Sequence, residues 1–446
     1  MTAALVARVG ASRVDVEPNE LAAYARDRGA LAAAGAPSAV VRARSTGDVV
    51  AALQVATAHR VPVVTRGAGT GLAGGANAHD GCIVLSTLGM DQVLDVDIAQ
   101  RTATAQAGVL TADLQAAVVQ HGLWYPPDPA SRAISTIGGN IATNAGGGCC
   151  LRYGVTGDHV AALTAVLADG TVIRTGAATR KNVAGLDLTR LLVGSEGILA
   201  VIVEATVRLR RPPAPLSTLL ATFASPPDAG VAVLALQRVA DLSLLELMDR
   251  TTIGAVERLA GAGLDTTAGA VLIAQADVAE TARCVAAMEG AGATAVTSTS
   301  DPVEAEALLD ARRYALPALE RLGVALLDDV VVPILAIPEM LARIEEVAAR
   351  HRIVIGAFGH AGDGNLHPTI VLDPGDPRAE AKAKAAFREI LAAAVGLRGT
   401  ITGEHGIGLL KRPHLDAVIG APERALMARI KDAFDPLGIL NPGKAI

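Results

Sequence analysis

The sequence contains few cysteines, no long hydrophobic run and no excess of positive charge, and each absence excludes a class of protein. Its four cysteines show no C-x-x-C spacing, so we expect no zinc ribbon, iron–sulfur cluster or disulfide framework, and a reducing compartment fits them. No stretch approaches the roughly 18 consecutive apolar residues of a membrane span, so we expect no transmembrane segment. A net charge of −6 argues against nucleic acid as a partner, because phosphate binding needs a basic face.

Length and the N-terminus set two further expectations. At 446 residues the chain exceeds the roughly 250–300 residues at which single cores stop growing, so we expect more than one domain. Residues 1–9 lack the long apolar core of a signal peptide. We therefore expect a cytoplasmic protein, with peripheral association with the inner membrane as the alternative.

Two regions of alternating helices and strands are separated by a proline-rich linker at residues 211–215. Beyond the linker, strand, helix and strand repeat, which predicts a ferredoxin-like α+β sandwich. The periodicity predicts helices over residues 19–33, 46–59, 109–120, 227–239, 252–260, 280–290, 302–322 and 338–351. It predicts strands over residues 39–41, 61–64, 83–85, 161–167, 171–174, 199–209, 217–223, 244–248, 270–275 and 353–358.

Two short glycine-rich segments near the C-terminus, residues 359–367 and 403–408, hold three of the nine histidines. His360, His367 and Glu404 form a two-nitrogen, one-carboxylate set that can bind a divalent metal and leave positions open for a substrate. Zinc suits this set, and manganese or iron also fit. His405 is then available as a base.

Three glycine-rich loops lie in the first region, at residues 65–72, 134–148 and 194–199. Residues 69–74 match the pattern G-x-G-x-x-G, but the residues that follow cannot sustain the helix that a dinucleotide-binding loop opens. Glycine-rich loops let backbone N–H groups approach an anion. Three of them on one α/β unit indicate a large cofactor rather than simple turns.

These loops, the segment from residue 127 to 148 and residues 188–197 resemble the FAD-binding domain of the vanillyl-alcohol-oxidase (PCMH) superfamily. The histidine segments and the ending at residues 434–444 resemble the C-terminal domain of its D-2-hydroxyacid dehydrogenase branch. The resemblance implies an α+β fold with a PCMH-type FAD-binding domain of two subdomains and a C-terminal ferredoxin-like FAD-linked oxidase domain. The expected division is a helical segment at 1–36, the FAD-binding domain at 37–213 and the substrate and metal domain at 214–446, whose last residues return to the FAD domain.

The same resemblance implies a noncovalent FAD, although Cys149 and Cys150 follow the second loop. The first loop would cradle the pyrophosphate, the second would line the flavin, and Glu196 and Ile202 would lie near the adenosine half. The implied FAD contacts are Arg66, Gly67, Ala68, Gly69, Thr70, Gly71, Leu72, Pro127, Asp128, Ser131, Thr136, Gly139, Asn140, Asn144, Gly146, Glu196, Ile202 and Asn441.

For catalysis, the resemblance implies oxidation of a small D-2-hydroxy acid. The metal would chelate the hydroxyl and one carboxylate oxygen, His405 would take the hydroxyl proton, and flavin N5 would accept the hydride. Arg312 would bind the substrate carboxylate as a bidentate fork, with Arg313 as the alternative. Asn365 would hydrogen-bond to the substrate or the flavin.

The substrate expectation depends on one position. Leu327 stands where hydroxyglutarate enzymes of this branch carry a lysine for the distal carboxylate. The absence of this lysine favours a monocarboxylate such as D-lactate or glycolate over D-2-hydroxyglutarate. An oxygen-using oxidase and a non-catalytic flavoprotein remain alternatives. The electron acceptor stays open between a quinone, a cytochrome, an electron-transfer flavoprotein and an iron–sulfur subunit, and a homodimer is the assembly we consider.

Overall fold

The computed structural model describes residues 1–446, which form two compact units. Unit 1 comprises residues 1–146, 154–212 and 404–446, and unit 2 comprises residues 147–153 and 213–403.

The chain contains seventeen strands and sixteen α-helices. The strands are β1 (Val14–Asp15), β2 (Ala39–Arg42), β3 (Val63–Arg66), β4 (Ile83–Ser86), β5 (Val93–Asp97), β6 (Thr102–Gln106), β7 (Val160–Val166), β8 (Val172–Gly176), β9 (Val201–Arg208), β10 (Leu216–Phe223), β11 (Leu244–Asp249), β12 (Ala270–Asp277), β13 (Ala295–Thr299), β14 (Val324–Leu327), β15 (Val330–Val331), β16 (Val354–His360) and β17 (Asn365–Leu372). The helices are α1 (Thr2–Val9), α2 (Pro18–Ala23), α3 (Thr46–His59), α4 (Thr111–Val119), α5 (Ile137–Thr143), α6 (Cys150–Tyr153), α7 (Thr156–His159), α8 (Leu188–Leu192), α9 (Pro226–Gln237), α10 (Arg250–Ala260), α11 (Thr281–Gly290), α12 (Pro302–Arg313), α13 (Ala315–Glu320), α14 (Ile337–His351), α15 (Ala379–Gly396) and α16 (Ala421–Phe434). No helix is long and apolar enough to cross a membrane.

Unit 1 contains two sheets, and residues of β7 and β9 of the second sheet also enter the core of the first. The first has the order β1-β2-β4-β3, with β2, β4 and β3 parallel, and it packs against α3. Ser45 and Asp48 form a capping box at the start of α3, which satisfies backbone N–H groups that the helix leaves unpaired. The second sheet is antiparallel, in the order β5-β6-β9-β7-β8.

Unit 2 is built on one sheet in the order β13-β10-β12-β11-β16-β17-β14, with β15 also pairing with β17. The first four strands follow the spatial order 4-1-3-2 with antiparallel pairing, and α9 and α11 connect β10 to β11 and β12 to β13. This is the arrangement of a ferredoxin-like sandwich, as the sequence predicts. The sheet continues beyond β11 through the hairpin of β16 and β17.

Helix α14 shows how the sequence pattern produces this packing. Its buried side chains recur at three- and four-residue spacing, which places them on one face of the helix. They are Ile337, Met340, Leu341, Ile344 and Val347. The other face is charged, and Arg343 there pairs with Glu339 and Glu346. Burial of the apolar stripe therefore fixes the rotation of α14 about its axis.

The expected division of the chain differs from the two units in its terminal segments. Residues 1–36 are not a separate helical segment, because β1 pairs with β2 and Leu5 and Val9 enter the first core. Residues 404–446 belong to unit 1 as a whole, since Ile439 and Leu440 enter that same core. The physical reason is the same at both ends: apolar side chains of short segments are buried against the parallel sheet.

Candidate active site

The two histidines of the first glycine-rich segment lie on one face of the hairpin formed by β16 and β17. Phe358 is opposite His367 and His360 is opposite Asn365 in this antiparallel register, so all four side chains share a face. The imidazole centroids of His360 and His367 are 5.1 Å apart and the rings are nearly perpendicular. The turn between the strands includes Gly364 at φ +84°, where a side chain would also overlap a backbone carbonyl.

A buried glutamate on the neighbouring strand contacts the first of these histidines. Glu246 of β11 stands opposite His360 of β16, and its Oε1 lies 2.6 Å from His360 Nδ1. Its Oε2 lies 2.7 Å from Nε of Arg312, at the end of α12. Burial alone would raise the pKa of Glu246, but the charges of His360 and Arg312 outweigh burial and lower it. The carboxylate is therefore held ionised between His360 and Arg312.

A second buried carboxylate lies beside the other histidine. Asp329, which follows β14 and is fully buried, has Oδ1 3.7 Å from His367 Nδ1. Asp329 also accepts hydrogen bonds from Asn365 Nδ2 at 2.6 Å, Thr402 Oγ1 at 2.7 Å and the Gly403 backbone N–H at 2.8 Å. It therefore fixes the end of the segment that leads directly into Glu404.

The two arginines considered for the substrate carboxylate have different surroundings. Arg312 is buried, and its guanidinium carbon lies 4.7 Å from the centroid of the Phe358 ring. Arg313 instead pairs along the surface of α12 with Glu306 and Asp310. Asn365 uses its amide donor within unit 2, on Asp329 and on the Val330 carbonyl. Of the two arginines, only Arg312 belongs to the histidine cluster.

Two predicted site residues, Glu404 and His405, begin the last segment of unit 1. His405 Nε2 lies 3.6 Å from Glu404 Oε1. Glu404 also lines the second glycine-rich loop, because a Cβ at Gly146 would overlap its carboxylate. Glu404 thus lies against the loop that is predicted to bind the cofactor, and His405 lies beside Glu404.

The first two glycine-rich loops approach each other in unit 1. A Cβ at Gly67 would overlap Oγ1 of Thr136, so only glycine fits there without displacing a loop. Thr136 is held in turn, because its Oγ1 accepts the backbone N–H of Gly139 at 3.2 Å. Arg66 is buried and donates from Nη1 to the Arg26 carbonyl at 2.8 Å. Gly69 has φ +75° and lies directly against the Arg66 guanidinium.

Several residues predicted as cofactor contacts use their side chains within the protein. Asn140 Nδ2 donates to Thr111 Oγ1 at 2.6 Å, and Asn144 Oδ1 accepts the Gly157 backbone N–H at 2.8 Å. Ile202 lies in β9 and packs in the second core of unit 1. These three positions shape the loops and the sheet around them. The remaining predicted contacts lie in loops, at Ala68, Thr70, Gly71, Leu72, Pro127, Asp128 and Ser131.

Glu196 contacts the glycine-rich segment of unit 1 that contains His405. Its carboxylate accepts the backbone N–H groups of Ile407 at 2.7 Å and Gly408 at 2.8 Å. Burial raises the pKa of Glu196, and these hydrogen bonds counteract that rise. Nearby Lys444 is fully buried and donates to the Asn77 carbonyl, and burial lowers its pKa to about 8. The segment that follows His405 is therefore held by a buried carboxylate, and the C-terminus is held by a buried lysine.

Two buried polar atoms beside the third glycine-rich loop have no hydrogen-bond partner. They are Oγ1 of Thr65, at the end of β3, and Oδ1 of Asn441. Both residues lie about van der Waals distance from where a Cβ at Gly197 would be. Asn441 is held in place by its Nδ2, which donates to the carbonyls of Gly75 and Glu196. An unpaired buried polar atom is unfavourable, so both atoms fit contact with a polar ligand.

The sequence reasoning did not include Glu246 and Asp329 in the site, although a signal for each is present. Glu246 is the one carboxylate in the apolar run of residues 244–248, and Asp328 and Asp329 interrupt another apolar run. A charged residue inside a buried strand is rarely tolerated unless it is paired. Such an interruption therefore marks a charge with a partner.

Comparison with known proteins defines the class. Residues 212–445 match the family described as FAD linked oxidases, C-terminal domain, and residues 37–176 match the FAD binding domain family. The chain belongs to the FAD-linked oxidase family, and it is an FAD-linked oxidoreductase. The unpartnered polar atoms and the close approach of the glycine-rich loops in unit 1 fit the cofactor that this family binds.

Three relatives cover nearly the whole chain. Glycolate oxidase subunit GlcD of Bacillus subtilis is 44% identical over 92% of this chain and 88% of its own length. D-lactate dehydrogenase of Archaeoglobus fulgidus is 38% identical over 91% of both chains. D-2-hydroxyglutarate dehydrogenase of Xanthomonas citri pv. viticola is 38% identical over 98% of this chain and 94% of its own. The fold is shared with p-cresol methylhydroxylase, at a TM-score of 0.83 and 18% identity over 100% of this chain and 96% of that one.

Replacement of Gly67 with alanine is expected to weaken FAD binding about tenfold. The added methyl group overlaps Thr136 Oγ1, and strain of this kind typically costs about 1–3 kcal/mol, where about 1.4 kcal/mol is tenfold in affinity. FAD content per chain and the FAD dissociation constant measure the effect. Gly47→Ala is the matched control, because a Cβ there meets only Ser45 Oγ at 3.6 Å. Equal FAD affinity in the two variants contradicts the prediction.

Proposed function

We propose that this protein oxidises a D-2-hydroxy monocarboxylate, such as D-lactate or glycolate, to the 2-oxo acid with FAD and a divalent metal. The observation that carries the proposal is the cluster in unit 2 in which Glu246 joins His360 to Arg312, with His367 beside His360. Imidazole ligands for a metal and a guanidinium for a carboxylate are the two groups that recognition of a 2-hydroxy acid needs. The named relatives act on glycolate, D-lactate or D-2-hydroxyglutarate.

The proposed metal ligands are His360, His367 and Glu404. The surroundings of His360 fit this role, because its Nδ1 lies 2.6 Å from the buried Glu246 carboxylate, a partner that metal-binding histidines usually have. The Nδ1 of His367 lies 3.7 Å from the buried carboxylate of Asp329. Glu404 follows Gly403, whose backbone N–H is held by Asp329. When bound, the metal would stabilise negative charge on the substrate hydroxyl oxygen. Zinc is the metal we favour, with manganese or iron as alternatives.

The remaining roles belong to residues of this chain. Arg312 binds the substrate carboxylate through its terminal nitrogens, because its Nε is already paired with Glu246. His405 accepts the hydroxyl proton. FAD, bound noncovalently by the glycine-rich loops of unit 1, supplies the hydride acceptor. Asn365 acts through its contact with Asp329, which supports a positioning role rather than the direct substrate contact expected from sequence.

The proposed preference for a monocarboxylate is supported by Leu327. This residue is 7% exposed in β14, and its apolar side chain offers no positive charge. A second substrate carboxylate there would be desolvated without a cation. The competing function is oxidation of D-2-hydroxyglutarate, which the relative from Xanthomonas citri favours.

Reduced flavin must pass its electrons to an acceptor, and a quinone, a cytochrome, an electron-transfer flavoprotein or a separate iron–sulfur subunit would serve. The chain itself has four cysteines, none of them in a disulfide. We propose a dehydrogenase that works in the cytoplasm or at the inner membrane surface, as a monomer or a homodimer. Rapid reoxidation of the reduced flavin in air would instead identify an oxygen-using oxidase.

Anaerobic flavin reduction by a panel of acids tests the proposal. D-Lactate and glycolate should bleach the flavin much faster than D-2-hydroxyglutarate, and the L-enantiomer of lactate should be inactive. Treatment with a chelator should slow the reaction at least about tenfold, and added zinc or manganese should restore it. A strong preference for D-2-hydroxyglutarate contradicts the monocarboxylate proposal. Unchanged rates after complete removal of metal contradict the metal site.

A further inference from the structure

We propose that Glu246 is a positioning residue that couples the metal site to the site for the substrate carboxylate. One of its carboxylate oxygens holds His360 and the other holds Arg312, so a single side chain sets the orientation of both. The inference rests on the proposed function and adds a role for a residue that contacts neither the substrate nor the flavin in that proposal.

The geometry allows Glu246 little freedom. It lies on β11 in the interior of the sheet, between β12 and β16, and is 3% exposed. The backbone pairing of Glu246 with His360 places the carboxylate directly beside the imidazole. The sheet hydrogen bonds on both sides of β11 therefore fix the carboxylate, and the carboxylate fixes the two side chains that it contacts.

The contact with His360 determines the state of its imidazole. A carboxylate 2.6 Å from Nδ1 favours the proton on that nitrogen, which leaves the Nε2 lone pair as the metal donor. Loss of a carboxylate in this role typically weakens metal affinity about 10–100-fold. The carboxylate thus affects metal binding without being a ligand.

The contact with Arg312 determines which of its nitrogens face the substrate. Nε is taken by Glu246 at 2.7 Å, and the guanidinium also stacks on Phe358. These two contacts hold the plane of the guanidinium, so its two terminal nitrogens form a fixed fork. A fixed fork binds a carboxylate with less loss of conformational freedom than a mobile one.

Glu246→Gln is the informative substitution because it retains the shape and removes one acceptor. A glutamine amide has one oxygen and one NH₂ group, so it cannot present one oxygen to His360 and a second, negatively charged oxygen to Arg312. Whichever partner faces the NH₂ group is repelled. The variant should therefore lose metal affinity, substrate affinity or both, while FAD, held by unit 1, stays bound.

The test uses the FAD-loaded full-length protein stripped of metal. Zinc is titrated against a competing chelator, and KM for D-lactate is then measured at saturating zinc. We expect Glu246→Gln to raise the zinc dissociation constant about 10–100-fold or to raise KM about tenfold, with unchanged FAD content. Glu204→Gln is the matched control, since Glu204 is a carboxylate on β9 of unit 1 that contacts Thr164. Wild-type zinc affinity and KM in Glu246→Gln would overturn the inference.

A measurement on the wild type covers the case in which Glu246→Gln does not fold. In the zinc-loaded protein, NMR of labelled imidazoles should show a proton on Nδ1 of His360 that is protected from exchange, assigned by its loss in His360→Gln. A proton on Nε2 instead would overturn the inference. Glu246→Asp provides a further comparison, because the shorter side chain keeps the carboxylate but can reach only one of its two partners. Its zinc affinity or its KM should therefore lie between the values of the wild type and of Glu246→Gln.

The outcomes separate this inference from the proposed function. A wild type that binds zinc and is reduced by D-lactate, together with an unaffected Glu246→Gln, contradicts only the role of Glu246. A wild type that binds no metal and is reduced by no 2-hydroxy acid contradicts the proposed function, and the coupling role is then wrong as well.

Discussion

Replacement of His405 with asparagine is expected to lower the rate of flavin reduction by D-lactate about 10²–10⁴-fold. Asparagine is similar in size and can hydrogen-bond, but it cannot accept a proton at neutral pH. Hydride loss from the substrate carbon requires loss of the hydroxyl proton, so removal of the base leaves this step to water. Stopped-flow measurement under anaerobic conditions, at saturating metal, gives the rate directly.

FAD and metal content of His405→Asn should equal those of the wild type, because the proposed ligand is the neighbouring Glu404. His121→Asn is the matched control, since His121 is exposed just beyond α4 and should leave the rate unchanged. A normal rate in His405→Asn contradicts the assignment of the base. Loss of FAD from the same variant assigns His405 to cofactor binding instead.

Elements with strong local signals were predictable from the sequence. The helix expected over residues 46–59 has the observed bounds of α3, because its apolar segment begins at a capping box and ends before a left-handed residue, Arg60. The strands predicted over residues 217–223 and 270–275 lie within β10 and β12, which are rich in apolar residues. Local propensity and tertiary burial favour the same conformation in these segments.

Other elements were missed because tertiary contacts decide them. The helix predicted over residues 19–33 ends at Ala23, since Asp27 binds the backbone N–H groups of Gly29 and Ala76 and holds the chain in a turn. β17 was not predicted because it follows a glycine-rich turn and contains Pro368. Its pairing with β14 and β16 on both sides makes it a strand.

The candidate site also contains residues that the sequence predicts and residues that only the fold brings together. His360 and His367 were singled out by their spacing and glycine context, and the hairpin does bring them together. Glu246 is more than a hundred residues away in sequence, and only the sheet order places it beside His360. A strand order such as this depends on the whole domain, so one sequence cannot give it. The position of the charge inside an apolar strand was nevertheless visible.

Replacement of Arg312 with lysine is expected to raise KM for D-lactate about 10–100-fold and to change the rate at saturation much less. Lysine retains the positive charge that Glu246 requires, so the buried carboxylate stays paired and the fold is preserved. It lacks the planar fork, and loss of a charged hydrogen bond to the substrate costs about 1.5–3 kcal/mol. Steady-state kinetics with D-lactate and glycolate measure the change.

Arg313→Lys provides the matched control on the adjacent position of the same helix. Arg313 pairs with Glu306 and Asp310 on the helix surface, and lysine can replace such partly exposed pairs at little cost. An increase in KM confined to Arg313→Lys would show that Arg313, and not Arg312, binds the substrate carboxylate. A decrease in the saturated rate of Arg312→Lys with unchanged KM would show that the guanidinium acts in the chemical step, because uniform binding of the carboxylate changes KM alone.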